Sequence, residues 1–211
     1  MSPCDHVLSS AMIIAGLTGG LATGKSTVSR FFQDCGAVLI DADVLARLVV
    51  EPDKPAWRDI VRTYGKSVLR QDRTLDRPAL GKIVFNNPTK LKRLNAIVHP
   101  RVAREQARLT REIKGKDPKA VIIYDAPLLI EADAHRRMDR VIVVATDRET
   151  QLARLRRRSH LTKTEALRRI KSQMPLAKKV TLADYVIDGT LTATQTRHAV
   201  TLVYEELSRL S

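Results

Sequence analysis

Three observations predict an α/β fold in which helices flank a five-stranded, mainly parallel sheet. Apolar runs rich in β-branched residues recur at 12–17, 37–41, 120–125, 140–146 and 184–188. Such runs, bounded by turn residues, suit strands covered on both faces. Helical patterns alternate with them, at 25–34, 43–49, 55–64, 77–85, 89–113, 148–158, 163–173 and 192–209, and alternation of strand and helix builds parallel sheets. Finally, the first run, MIIAGL, passes directly into GGLATGKS at 19–26.

That last segment matches G-x-x-x-x-G-K-[ST], with Gly19, Gly24, Lys25 and Ser26 at the required spacing. A strand delivers the chain to a turn, glycines let the backbone fold around an anion, and a helix begins at the ligand. Backbone N–H groups along Gly19, Gly20, Leu21, Ala22, Thr23 and Gly24 then converge on the β-phosphate of a nucleoside triphosphate, reinforced by the helix dipole. Lys25 supplies a mobile charge for the β- and γ-phosphates, and the Ser26 hydroxyl is a ligand for Mg²⁺.

The second strand ends in IDAD, which places Asp41 and Asp43 at its carboxyl end, where open α/β sheets bind their ligands. Alternation along a strand turns both side chains the same way. One carboxylate suits an attacking hydroxyl, as orienter or proton acceptor, and the other suits a water of the Mg²⁺ shell. Asp43 also stands where an N-cap would be for a helix beginning at Val44, a role that competes with catalysis or accompanies it.

Residues 43–119 hold no convincing strand and read as a helical insertion, ending in the turn GKDPK at 115–119. Within it, His99 precedes Pro100, and a cap or packing role is the default for it. Trp57 and the Phe31–Phe32 pair read as packing residues. The third strand continues into YDAPLLIE. Asp125 there is either a carboxylate approaching Mg²⁺ beside Ser26 or the residue of a strand-ending turn.

A second helical insertion, roughly 154–180, interrupts the path to the last strand. From Arg148 to Lys179 there are eleven Lys and Arg against two Glu, a surplus of +9. The net charge of +14 is therefore mostly local. Arg154 and Arg158, four apart, share one helix face, and TKTE at 162–165 starts a new helix with a capping box. An arginine-rich flap closing over a triphosphate serves phosphoryl transfer and excludes water. A solvated basic face is the competing reading, but it leaves the repulsion unrelieved without an anion.

Composition removes several classes. Aromatic residues are 4% of the chain, poor material for base-stacking platforms, so the basic surplus is assigned to phosphate contacts rather than nucleic acid. Cys4 and Cys35 form neither a CxxC pair nor a disulfide framework, so a reducing cytoplasm is expected. The five histidines lack metal-ligand spacing. No run has transmembrane length, and a secretory signal is not expected ahead of MIIAGL. Residues 1–11 carry no usable pattern and read as an N-terminal extension. The chain is expected to act on small molecules, without membrane or nucleic acid, as a monomer or weak homo-oligomer.

Taken together, GLTGGLATGKST, VLIDADVLARLVVEP, IVFNNPTKLKRLNAIVHP, YDAPLLIE, RVIVVATDRETQLARLRRR and ADYVID resemble the dephospho-coenzyme A kinase family, from Met12 to about Leu207. The resemblance implies a P-loop kinase fold of three parts: a nucleotide-binding core (12–42, 120–150, 181–209), a helical substrate domain (43–119) and a helical lid (151–180). It implies transfer of the ATP γ-phosphate, with Mg²⁺, to the ribose 3′-hydroxyl of dephospho-CoA, the last step of coenzyme A synthesis. By position, Asp43 matches the acidic residue at the acceptor hydroxyl. Lys25, Ser26 and Thr27 match the nucleotide loop, and Arg154 and Arg158 match lid arginines. The His99-Pro100 and Pro127–Glu131 segments, including Leu128, match the walls of the acceptor pocket.

The chain departs from the family pattern twice. Ala22-Thr23 replaces Gly-Ser in the loop, adding a Cβ where glycine would admit φ > 0, although the intermediate loop positions vary by the general pattern. Gly189-Thr190-Leu191 replaces Asn-x-Gly after the last strand. Nucleotide binding is expected to survive the first; the second bears on the details of adenine contact, not on the reaction. Two other functions compete: another small-molecule P-loop kinase of shikimate or nucleotide type, and a nucleic-acid-binding ATPase favoured only by charge. The long insertion and PLLIE argue against the first.

Overall fold

The computed structural model describes residues 12–159 and 161–211, so Cys4 and the 1–11 extension lie outside the described residues. Five strands, β1 (Ile13–Gly19), β2 (Val38–Asp41), β3 (Val121–Asp125), β4 (Arg140–Ala145) and β5 (Tyr185–Asp188), form one sheet in the order β2-β3-β1-β4-β5. β1 pairs in parallel with both β3 and β4, and β4 with β5. The chain therefore enters at the middle of the sheet and builds outward on both sides. Its first strand is covered on both faces, which is why MIIAGL shows no polar alternation.

The helices are α1 (Lys25–Asp34), α2 (Ala42–Leu48), α3 (Pro55–Tyr64), α4 (Arg77–Phe85), α5 (Pro88–Lys116), α6 (Arg148–Ser159), α7 (Lys163–Lys171), α8 (Leu176–Val180) and α9 (Ala193–Leu210). Each strand expected from the sequence is present. The helical pattern is corrected in three places. α5 continues to Lys116, absorbing the first two residues of the expected 115–119 turn and passing through Pro100. The short α8 appears where the sequence shows only a basic run. The helix after β2 begins at Ala42 rather than Val44, and Asp41 is its cap, accepting from the Asp43 and Val44 amides at 2.7 and 3.1 Å.

The described residues form two compact units, 12–40 with 113–211, and 41–112. In the first, Phe31, Phe32 and Val28 of α1 pack with Val200 and Leu207 of α9 on Ile13, Ala15, Leu17, Ile123, Ile142, Val144 and Ile187. Phe32 is fully buried; each such side chain contributes about 1.5–3 kcal/mol relative to exposure. The second unit has its own core of Val49, Val50, Trp57, Ile60, Val68, Leu80 and Val84. Trp57 closes its polar edge by donating Nε1–H to the Arg73 carbonyl at 2.8 Å, and Arg101 of α5 pairs with Asp59 of α3. Trp57 and the Phe31–Phe32 pair are thus packing residues, as their sequence context implies.

Candidate active site

The 19–26 loop leads from β1 into α1, whose cap residue is left-handed, whereas those of α2, α3, α4, α7, α8 and α9 have negative φ. Side chains of Asp41, Asp76, Thr162 and Thr192 cap α2, α4, α7 and α9. The cap of α1 is Gly24, at φ 99°, with no side-chain hydrogen bond to the first turn. With a left-handed Gly24 and no side-chain cap, the first amides of α1 are left for another acceptor, an arrangement that suits an anion. Ser26, in that first turn, is exposed.

Ala22 has φ 58°, so the loop does want a left-handed residue where this chain carries a methyl group. Thr23 is buried, its hydroxyl donating to the Gly20 carbonyl at 3.0 Å. The second departure from the family pattern lies against the first, because a Cβ on Gly189 would collide with the Thr23 carbonyl. Gly189 N–H meanwhile donates to the Ala145 carbonyl at 2.7 Å. Since an L-residue in the left-handed region costs roughly 1–2 kcal/mol, Ala22→Gly is expected to stabilise the fold by about 1 kcal/mol, or a few degrees of Tm. A thermal melt checks this; a lower Tm would show that the methyl group contributes packing that outweighs its backbone strain.

Lys25 and Asp125 form an ion pair, and Ser29, one helical turn after Lys25, donates to the other Asp125 oxygen at 2.5 Å. The β1–β3 register, with Leu17 opposite Asp125, brings this carboxylate to the loop. The structure thus joins Asp125 to the loop through Lys25 and Ser29. Strand alternation does not relate Asp41 to Asp43: β2 ends at Asp41, whose carboxylate is used as the cap. Asp43 lies in the first turn of α2, exposed, and among the described residues no side chain or backbone group holds its carboxylate. Asp43 and His99 belong to the second unit; His99 is exposed on α5.

Two side chains that the sequence reading passed over grip the outside of the loop. Gln151 of α6, nearly fully buried, donates Nε2–H to the Leu21 carbonyl at 2.8 Å. Lys179 of α8, fully buried, donates to the Pro127 carbonyl at 2.8 Å and the Gly19 carbonyl at 3.4 Å, and pairs with Glu131 at 2.9 Å. In sequence Lys179 is one of eleven cations in a charged run, with nothing to distinguish it. Arg154, one turn beyond Gln151, reaches the Ala22 carbonyl at 3.4 Å, whereas Arg158 is exposed. Thr190 donates its backbone N–H and hydroxyl to Asp188 and, with Arg154 nearby, holds that carboxyl below the usual range; Asp147 opposes the shift.

The 127–131 turn follows Asp125 directly. Pro127 is half-buried, Leu128 is 50% exposed, and Leu129 and Ile130 anchor the turn in the core. The Glu131 carboxylate is engaged by Lys179 and by the Met174 N–H at 3.1 Å.

The model of the dephospho-CoA kinase family matches residues 13–194. The chain is 49% identical over 196 residues to the dephospho-CoA kinase of Geobacter metallireducens, covering 92% of this chain and 96% of that one. It is 48% identical to the Bacillus thuringiensis dephospho-CoA kinase, over 88% and 93% of the two chains. Among solved structures, TT1252 from Thermus thermophilus superposes with TM-score 0.78 at 32% identity, covering 93% of this chain and 98% of that one. The dephospho-CoA kinase of Campylobacter jejuni superposes with TM-score 0.62 at 26% identity, covering 94% and 98%. With a phosphate loop at the carboxyl end of a parallel sheet, and a match that spans most of its length, the chain belongs to the dephospho-CoA kinase family, the enzymes of the last step of coenzyme A synthesis.

Proposed function

We propose that this chain transfers the γ-phosphoryl group of ATP to the ribose 3′-hydroxyl of dephospho-CoA. The observation that carries the reading is the left-handed, uncapped start of α1 at Gly24 beneath the 19–26 loop, with Lys25 held at Asp125 beside it. The loop amides and Thr27 hold the β-phosphate, while Lys25 exchanges its carboxylate partner for phosphate oxygens. Asp43, whose carboxylate has no other employment among the described residues, orients the acceptor hydroxyl and takes its proton. Arg154 and Arg158, on a lid spanning 151–180, neutralise charge spreading over the transferred group. His99, Pro127, Leu128 and Glu131 are each proposed to contribute to acceptor binding, Glu131 through its contacts to Lys179 and Met174.

The donor set suits Mg²⁺. Ser26 presents an exposed hydroxyl and Asp125 a carboxylate at the same loop, both hard oxygen ligands, and Mg²⁺ takes one or two protein ligands together with phosphates and waters. Ser26 and Asp125 would hold the ion, which would offset the negative charge of the phosphates. Among the described residues no helix is long and apolar enough to cross a membrane. The chain is proposed to work in the cytoplasm as a monomer or weak homo-oligomer, on small molecules rather than nucleic acid.

Mg·ATP supplied with dephospho-CoA, shikimate, nucleoside monophosphates or nucleic acid in turn tests the assignment, by ADP release and product mass. Turnover is expected with dephospho-CoA, lost on chelation and restored by Mg²⁺. Preferential turnover of shikimate or a nucleotide overturns it.

A further inference from the structure

Lys179 is fully buried, a costly place for an ammonium unless every N–H is paired. Here all three find acceptors: the Gly19 carbonyl where β1 enters the phosphate loop, the Pro127 carbonyl at the start of the 127–131 turn, and the Glu131 carboxylate at its end. Two further bonds tighten the same knot. Thr18 Oγ donates to the Pro127 carbonyl at 3.1 Å, and the same Glu131 oxygen that meets Lys179 accepts from Met174 N–H at 3.1 Å. One charge thus joins the nucleotide loop, the turn after Asp125, and the stretch of chain between α7 and α8.

We propose that Lys179 is a positioning residue for phosphoryl transfer: it sets the register of the phosphate loop against the 127–131 turn and roots the basic α6–α8 segment on both. This rests on the kinase reading above and extends it. α6 is stitched to the loop at its other end by Gln151 on the Leu21 carbonyl, so both stems of the arginine-rich segment end on backbone oxygens of the loop. Those oxygens belong to peptides of the loop itself, the Gly19–Gly20 and Leu21–Ala22 units, so their tethering orients the cradle without either side chain having to touch substrate. Shifting the register by a fraction of an ångström misaligns donor and acceptor, and misplacement of about 1 Å costs on the order of a hundredfold in rate.

Lys179→Met alone leaves Glu131 without its cation and can fail to fold, so the decisive variant is Lys179→Met with Glu131→Gln. It removes both charges of the buried pair, a change often neutral for stability, and keeps an oxygen for Met174 N–H. The expected result is a Tm close to wild type, with kcat lowered roughly ten- to a hundredfold, KM for ATP within about threefold, and faster amide hydrogen exchange at 172–180 but not in β4. A purely structural role predicts wild-type kcat once Tm is restored, and that result overturns the proposal. Should the double variant not fold, Glu131→Gln alone decides by the same two readouts, and wild-type kcat with wild-type exchange overturns it. Wild-type enzyme assayed alongside reports on the kinase reading. If it fails to phosphorylate dephospho-CoA, that reading falls, while the exchange measurement still tests the tether.

Discussion

Lys25→Ala is expected to lower kcat by about 10³-fold, the scale of removing one preorganised charge-stabilising donor from an active site. Lys25 is the cation that the loop delivers to the β- and γ-phosphates, and Ala at this position leaves the amide cradle intact. The variant should therefore still bind nucleotide, more weakly, while scarcely turning over. It also leaves the Asp125 carboxylate, 9% exposed, with only the Ser29 hydroxyl as partner. Losing one member of such a buried pair costs on the order of 1–3 kcal/mol, so Tm should fall as well. Lys25→Met with Asp125→Asn separates the two effects by removing both charges. That pair should melt near the wild type and remain catalytically dead. Turnover within tenfold of wild type in either variant would remove Lys25 from the chemistry.

Asp43→Asn is expected to reduce kcat about a hundredfold, at the low end of general acid–base contributions, with little change in ATP binding. The structure makes this substitution unusually clean. Had Asp43 capped α2, its loss would have cost helix stability and confused the result. The cap is Asp41 instead, and Asp43 only adds a negative charge to the first turn, worth roughly 0.3–1 kcal/mol. A large kinetic effect with a small stability effect is the signature of a group acting on the acceptor hydroxyl. Wild-type kcat in Asp43→Asn would mean that another group receives the proton. Asp41→Asn is the natural companion: it should lower Tm more than kcat.

Much of this was legible in the sequence because it depends on short-range patterns. Strand runs, helix periodicity, the 162–165 capping box and the phosphate loop are each set by residues within a turn or two of one another, and all appear where the pattern places them. Element ends were less legible. Whether Asp41 or Asp43 caps α2 depends on where β2 stops pairing, which a local pattern does not encode. The same holds for α5, whose carboxyl end passes the glycine of GKDPK.

Long-range contacts were invisible. Lys25 and Asp125 are 100 residues apart, Gln151 and Leu21 are 130 apart, and Lys179 and Gly19 are 160 apart. A lysine in a run of cations has no local property that marks it as buried, because burial is decided by what other segments pack over it. By itself the sequence determined an anion-binding loop on a parallel sheet and the family to which the chain belongs, since these need only spacing and periodicity. Which carboxylate meets Lys25, which aspartate caps and which stays free, and which of eleven cations is locked beneath the loop were decided only by tertiary structure, where a charge survives burial solely if distant parts of the chain supply its partners.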